Sequence, residues 1–228
     1  MYEMTTTSKG MMGMGGESTV HVYVKGDRSR TETTSEDMMG GEATNITITR
    51  LDKNVIWTLD NENKQYTEIE IEEFMKVEKD EEETEEIVPE IKIEKTGNTK
   101  EILEKTCEEV IVSMDIKSDE GSMTMTQTMW VTTDITGYEE LKEFNKKFRG
   151  NGSGQSMASM TKDKKSYNEF QEKIGEVEGF PLELEMEFSM GTEIMPFSMK
   201  THSTVTKIDT KPISDKVFEI PEGYSLKE

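Results

Sequence analysis

The sequence predicts a mainly β (α+β) protein: a curved antiparallel sheet or incomplete β-barrel, with two or three helices against its concave face. Three observations predict it. Period-two hydrophobic alternation recurs towards both ends of the chain, turn-forming residues separate the alternating runs, and clear helical periodicity is concentrated in an insertion at about residues 138–175. Connections of hairpin length make antiparallel neighbours, because a parallel pair needs a crossover of a dozen or more residues.

Strand patterning opens at Tyr2. Val20, Val22 and Val24 alternate with Thr19, His21, Tyr23 and Lys25, and Gly26-Asp27 then turns the chain into a threonine-rich strand at 28–34. Ile46 and Ile48 alternate with Asn45, Thr47 and Thr49. After a turn at Leu51-Asp52-Lys53, Val55, Trp57 and Leu59 alternate with Asn54, Ile56 and Thr58, and residues 60–63 turn into a strand at 64–69. Residues 72–79 fit one short helix with Phe74, Met75 and Val77 as its apolar contacts. The run at 80–86 holds six carboxylates in seven residues, and its self-repulsion predicts a solvated loop over about 80–88.

Alternation resumes at Ile91 and Ile93, with a turn expected at Gly97-Asn98, and continues through Val110, Val112 and Met114. Ser118-Asp119-Glu120-Gly121 closes a hairpin onto 123–132. Tyr138, Leu141, Phe144, Asn145 and Phe148 fall at helical spacing with Gly150 placed as the stop; 150–154 is a connector, and a second amphipathic helix at about 162–174 puts Tyr167, Phe170 and Ile174 on one side. Beyond Gly179, Leu182, Leu184, Met186, Phe188 and Met190 alternate with Glu183, Glu185, Glu187 and Ser189. A long strand at 197–208 precedes an irregular closing segment at 212–221 anchored by Val217, Phe218 and Ile220. Neither flank of the helical insertion has a complete core of its own, so the expectation is a single domain over 1–228.

Composition narrows the function. The 48 acidic residues against 27 basic ones give a formal charge of -21, which repels phosphate backbones and makes nucleic acid an unsuitable partner. No apolar run approaches the roughly 20 residues of a membrane-spanning helix. No charged segment followed by an apolar one opens the chain, and patterning is under way by Tyr2; the expectation is an export signal already removed and a periplasmic or extracellular location. The single cysteine, Cys107, reads as a small buried hydrophobe rather than a redox or zinc ligand.

A nucleophile with its base, or a zinc site, draws on histidine and cysteine, and His21, His202 and Cys107 are scattered. The glycine-rich segments at 10–16 and 150–154 lack phosphate-loop order, and no acidic run has EF-hand spacing. No catalytic residue, metal ligand or cofactor is assigned, and the chain reads as non-enzymatic. Methionine is abundant at 18 residues, and three uses compete: core filling, lining of an adaptable lipophilic groove, and binding of Cu(I) by thioethers.

Several segments carry a resemblance. They are 22–32 (VYVKGDRSRTE), 50–60 (RLDKNVIWTLD), 64–68 (KQYTE), 129–132 (MWVT) and 218–224 (FEIPEGY). In these the chain resembles a bacterial family of exported domains of unknown function, itself similar to the outer-membrane lipoprotein carrier (LolA-like) superfamily. The resemblance implies a half-barrel whose concave face is covered by helices and, in carriers, accepts acyl chains. It departs where Lys105-Thr106 precedes Cys107 in place of Gly-Tyr, and in the acidic insertion. The expected function is binding of a lipid or lipoprotein in an apolar groove lined by Trp57, Met125, Trp130, Leu184, Met186 and Phe188. The alternative is an assembly module that self-associates or engages another envelope protein through its sheet edges.

Overall fold

The computed structural model describes residues 1–10, 16–36, 41–75, 89–118, 121–148, 164–191 and 196–227. The acidic run at 80–86, the connector at 150–154 and the methionines at 11, 12, 14, 38, 39, 157, 160 and 195 lie outside them.

Twelve strands form one curved, unclosed sheet: β1 (Tyr2–Gly10), β2 (Glu17–Lys25), β3 (Arg28–Glu36), β4 (Glu42–Arg50), β5 (Val55–Asp60), β6 (Gln65–Glu70), β7 (Glu90–Ile102), β8 (Lys105–Ser118), β9 (Gly121–Thr132), β10 (Phe180–Gly191), β11 (Pro196–Ile208) and β12 (Ser225–Leu226). Among the described residues three α-helices, α1 (Ile71–Met75), α2 (Tyr138–Lys147) and α3 (Lys164–Glu176), and a 3-10 turn at Asp215–Phe218 accompany it. The order across the sheet is β12-β6-β5-β4-β3-β2-β1-β11-β10-β9-β8-β7. Two meanders, β1 to β6 and β7 to β11, are therefore joined through the antiparallel pair β1–β11, and the first strand of the chain lies in the interior of the sheet. Among the described strands β12 and β6 are the parallel neighbours.

One expected turn is in fact a bulge. The register of β7 against β8 slips between Lys95 and Thr99, Gly97 has φ +80°, and Thr96 Oγ1 and Asn98 Nδ2 each donate to Glu109 Oε2 at 2.8 Å. The chain reverses instead at Leu103-Glu104, where φ values of +50° and +60° match the twist of a two-residue hairpin. Neither residue is the glycine or asparagine that normally advertises such a turn, so the glycine of the bulge drew the expectation six residues too early.

The apolar side of the sheet changes face across its width. The ladder partners Ile46–Glu32–His21–Glu3, followed along β1 to Thr5–Thr204–Glu183–Trp130–Glu109, trace a single face. At the β4–β5 end that face carries Ile46, Ile48, Trp57 and Leu59, which pack with Phe218 of the chain's tail. At the β9–β10 end it carries Glu183, Glu185 and Glu187. On the opposite face the row Met114–Met125–Phe188–Met199 crosses β8 to β11, whereas Thr31–Thr47–Thr58–Thr67 crosses β3 to β6.

Each half has its own cover. Phe170 of α3, fully buried, belongs to one core cluster with Val110, Val112, Met114, Met125, Met129 and Phe188. Apolar burial of this kind contributes roughly 25 cal/mol per Å² removed from water. A third cluster, of Cys107, Phe180, Leu182 and Val205, has Tyr138 and Leu141 of α2 packed against it. Burial pushes the Cys107 thiol above its ordinary pKa, and the residue serves as the small buried hydrophobe that the sequence indicated.

Phe170→Ala is expected to lower the unfolding free energy by about 3–5 kcal/mol in urea denaturation. Thr58→Val, on the exposed part of the same face, should move it by no more than about 0.5 kcal/mol.

Candidate functional site

The six residues expected to line one groove divide between the two faces. Met125, Leu184, Met186 and Phe188 share the α3 face, but Met125 and Phe188 are fully buried around Phe170 while Leu184 and Met186 are half-buried. Trp130 lies on the other face, paired with Glu109 and Glu183, and Lys100 Nζ sits 4.1 Å above its ring while binding Glu183 Oε1 at 2.8 Å. Trp57 belongs to the tail cluster, and its indole N–H donates to Glu68 Oε2 at 2.7 Å. Alternation identified these residues as inward-facing within their own strands. It carried no information about which side of the sheet each strand buries.

Among the described residues an apolar concavity lies elsewhere, as a half-open cleft of about 380 Å³ beneath α2. Tyr2, Val22 and Val24 form its floor, Ile135, Tyr138 and Leu141 its helical wall, and Phe180, Ile208 and Ile213 its far side. The turn between β2 and β3 fixes α2 at both ends: the Gly26 amide donates to Glu140 Oε1 at 2.6 Å, and the Lys147 ammonium pairs with Asp27. These contacts also suit the helix dipole, with Glu139 and Glu140 in the first turn and Lys146 and Lys147 in the last. Gly179 completes the anchorage by donating its N–H to the Tyr138 hydroxyl at 2.8 Å. Its φ is +115° and a Cβ there would meet that of Val131 at 3.0 Å, so only glycine admits this close approach of the chain to β9.

Charged side chains on the cleft rim are engaged by the protein. Lys25 Nζ donates to the Ile213 carbonyl at 2.9 Å and to Asp215 at 2.7 Å, and Asp209 accepts from the Lys211 amide at 2.9 Å. The cleft therefore presents apolar surface beside hydroxyl groups and charged groups already bound within the protein, which suits an uncharged, chain-like ligand.

The tail that closes one side of the cleft is held by cations. Three of the four arginines in the sequence act here. Arg28 pairs with Asp215 at 3.1 Å and lies over the Phe218 ring; Arg30 donates to the Val217 carbonyl at 3.3 Å. Buried Arg50 donates to the Phe218 carbonyl at 3.2 Å, to Glu219 at 2.6 Å and to both oxygens of Asp52 at 2.8 Å. The hydrogen bond from Arg50 holds the Asp52 carboxyl below its ordinary pKa. At Glu219 burial works against ionisation, but Arg50 and Lys53 outweigh it and the direction is again down.

These observations define a class: an open antiparallel sheet with separate apolar cores on opposite faces and an apolar cleft between a helix and a cation-clamped tail. Residues 2–224 match a family described as a domain of unknown function, DUF4412, and the chain belongs to that family. No curated protein and no solved structure matches the chain. Among the described residues no helix is long and apolar enough to cross a membrane, and no group of three or more histidines, cysteines or carboxylates is placed to hold a metal ion.

Replacing Arg50 by alanine removes hydrogen bonds to charged partners and to a buried carbonyl, and should cost roughly 2–3 kcal/mol by chemical denaturation. Because the Asp52 and Glu219 pKa values are lowered on folding, this contribution is present above their unfolded values of 3.8 and 4.5 and is lost as pH falls through and below that range. The acid limb of the stability–pH curve should be flatter in Arg50→Ala than in the wild type.

Proposed function

We propose that this chain is a non-enzymatic binding protein, working outside the cytoplasm, that holds a lipid or the acyl part of a lipoprotein in the cleft beneath α2. The cleft carries this reading. Its volume of about 380 Å³ falls within the range of ligand sites, and its wall, floor and far side are predominantly aliphatic and aromatic. A curved, unclosed antiparallel sheet with helices over one face is consistent with the arrangement of the lipoprotein carriers that several sequence segments resemble. That resemblance also supplies the extracytoplasmic setting. On the same side of the sheet, Leu184 and Met186 are half-buried and extend the apolar surface available to a long chain.

Assembly through a sheet edge has less support. The edge strand β7 carries a bulge and the alternating charges Glu90, Lys92, Glu94 and Lys95, features that discourage strand addition.

Titration with N-phenyl-1-naphthylamine, a neutral probe that fluoresces in apolar sites, tests the binding reading. Saturable enhancement is expected with the wild type. Leu141→Gln, which places an amide in the cleft wall, should weaken it about tenfold while circular dichroism confirms a retained fold. Absence of saturable binding by the wild type would overturn the proposal.

A further inference from the structure

Tyr2 contributes one polar group to the cleft that the protein itself leaves unused. Its ring stacks edge-on against Phe180 with centroids 5.1 Å apart, and the residue lines the cleft floor. Among the described residues its hydroxyl has no hydrogen-bond partner, in contrast to the cleft's other phenol, Tyr138, which accepts from the Gly179 amide. Burial alone pushes the Tyr2 hydroxyl up to about 12, so at neutral pH it is an uncharged O–H donor. A polar group withdrawn from water and left unpaired costs free energy, and in native proteins such groups are uncommon.

We infer that Tyr2 is a specificity-determining residue that donates a hydrogen bond to an uncharged carbonyl, an ester or amide, at the head of an apolar chain seated in the cleft. This rests on the reading of the cleft as a ligand site and names the chemical class it selects. The electrostatics favour the neutral acceptor over a free carboxylate. The cations lining the cleft are engaged by the protein: the Met1 ammonium donates to the Asp209 carbonyl at 2.9 Å and lies in the field of the Asp209 and Glu140 carboxylates, Lys25 is bound to the Ile213 carbonyl and Asp215, and Lys211 to the Asp209 carboxylate. Glu140 and Asp209 stand on the same rim, in a protein of formal charge -21. An entering carboxylate would have to compete with Asp209, Glu140 and Asp215 for these cations and would be repelled by that field. An ester carbonyl incurs neither cost and satisfies the hydroxyl.

The experiment is displacement of N-phenyl-1-naphthylamine by methyl laurate and by lauric acid, in the wild type and in Tyr2→Phe. The wild type is expected to bind the ester at least about fivefold more tightly than the acid. Tyr2→Phe should lose roughly three- to tenfold in ester affinity relative to its own affinity for the probe, the range of one net hydrogen bond, while its thermal stability is at least that of the wild type. If the probe binds but Tyr2→Phe leaves ester affinity and ester-over-acid preference untouched, the assignment of Tyr2 is wrong while the cleft stands. If neither probe nor ester binds the wild type, both readings fall together.

Discussion

The pairing of β1 with β11 joins two half-sheets that bury opposite faces, and the rest of the structure follows from that junction. A sheet with one apolar face needs one cover. Here the β4–β5 half buries Ile48 and Trp57 under the tail, while the β8–β10 half buries Met125 and Phe188 under α3. The joining strands sit where the apolar side changes over, and their composition suits that position. β1 runs Thr5-Thr6-Thr7, and the hydroxyls of Thr6 and Ser203 meet across the junction at 2.9 Å. Side chains of this kind tolerate partial exposure on either face at little cost.

Two covers on opposite faces create a margin where they meet. The cleft lies there, with α2 as one wall and Ile208 to Ile213, the start of the tail, as another. Its shape therefore depends on groups remote from its floor. The arginines that clamp the tail and the β2–β3 turn that grips α2 fix the two walls independently, and Lys25 takes part in both the rim and the clamp. The segments 22–32, 50–60 and 218–224, which carry much of the sequence resemblance, supply most of this clamp: Lys25, Arg28, Arg30, Arg50, Asp52, Phe218 and Glu219. In this chain those segments secure architecture. The aliphatic positions of the cleft come mainly from short pieces of β1, β2, α2 and the tail, brought together only by folding.

That distribution explains what the sequence disclosed. Alternation in β2, β4, β5, β10 and β11 was legible because most apolar residues of each strand share one phase, although Thr49 and Ile56 are buried on the opposite phase of β4 and β5, and the spacing of Phe144 and Phe170 marked both longer helices. Alternation is blind to which face is buried, since the period is two on either side. Trp57 and Trp130 were consequently grouped with Met125 and Leu184 although the sheet separates them. The cleft left no signal of its own: Tyr2, Leu141 and Ile208 lie far apart in the chain, and each reads locally as an ordinary core residue. A pause in apolar alternation through β1, with three consecutive threonines, was the visible trace of the change of face.

The most direct test of the two-faced sheet is a nuclear Overhauser spectrum of protein labelled at methionine methyl and aromatic positions. Cross-peaks are expected from the Phe170 ring to Met114, Met125 and Met129, and from the Phe218 ring to the Trp57 indole, forming two sets with no peak between them. Contacts from Phe170 to Trp57, or from Phe218 to Met125, would place both cores on one face and contradict the account.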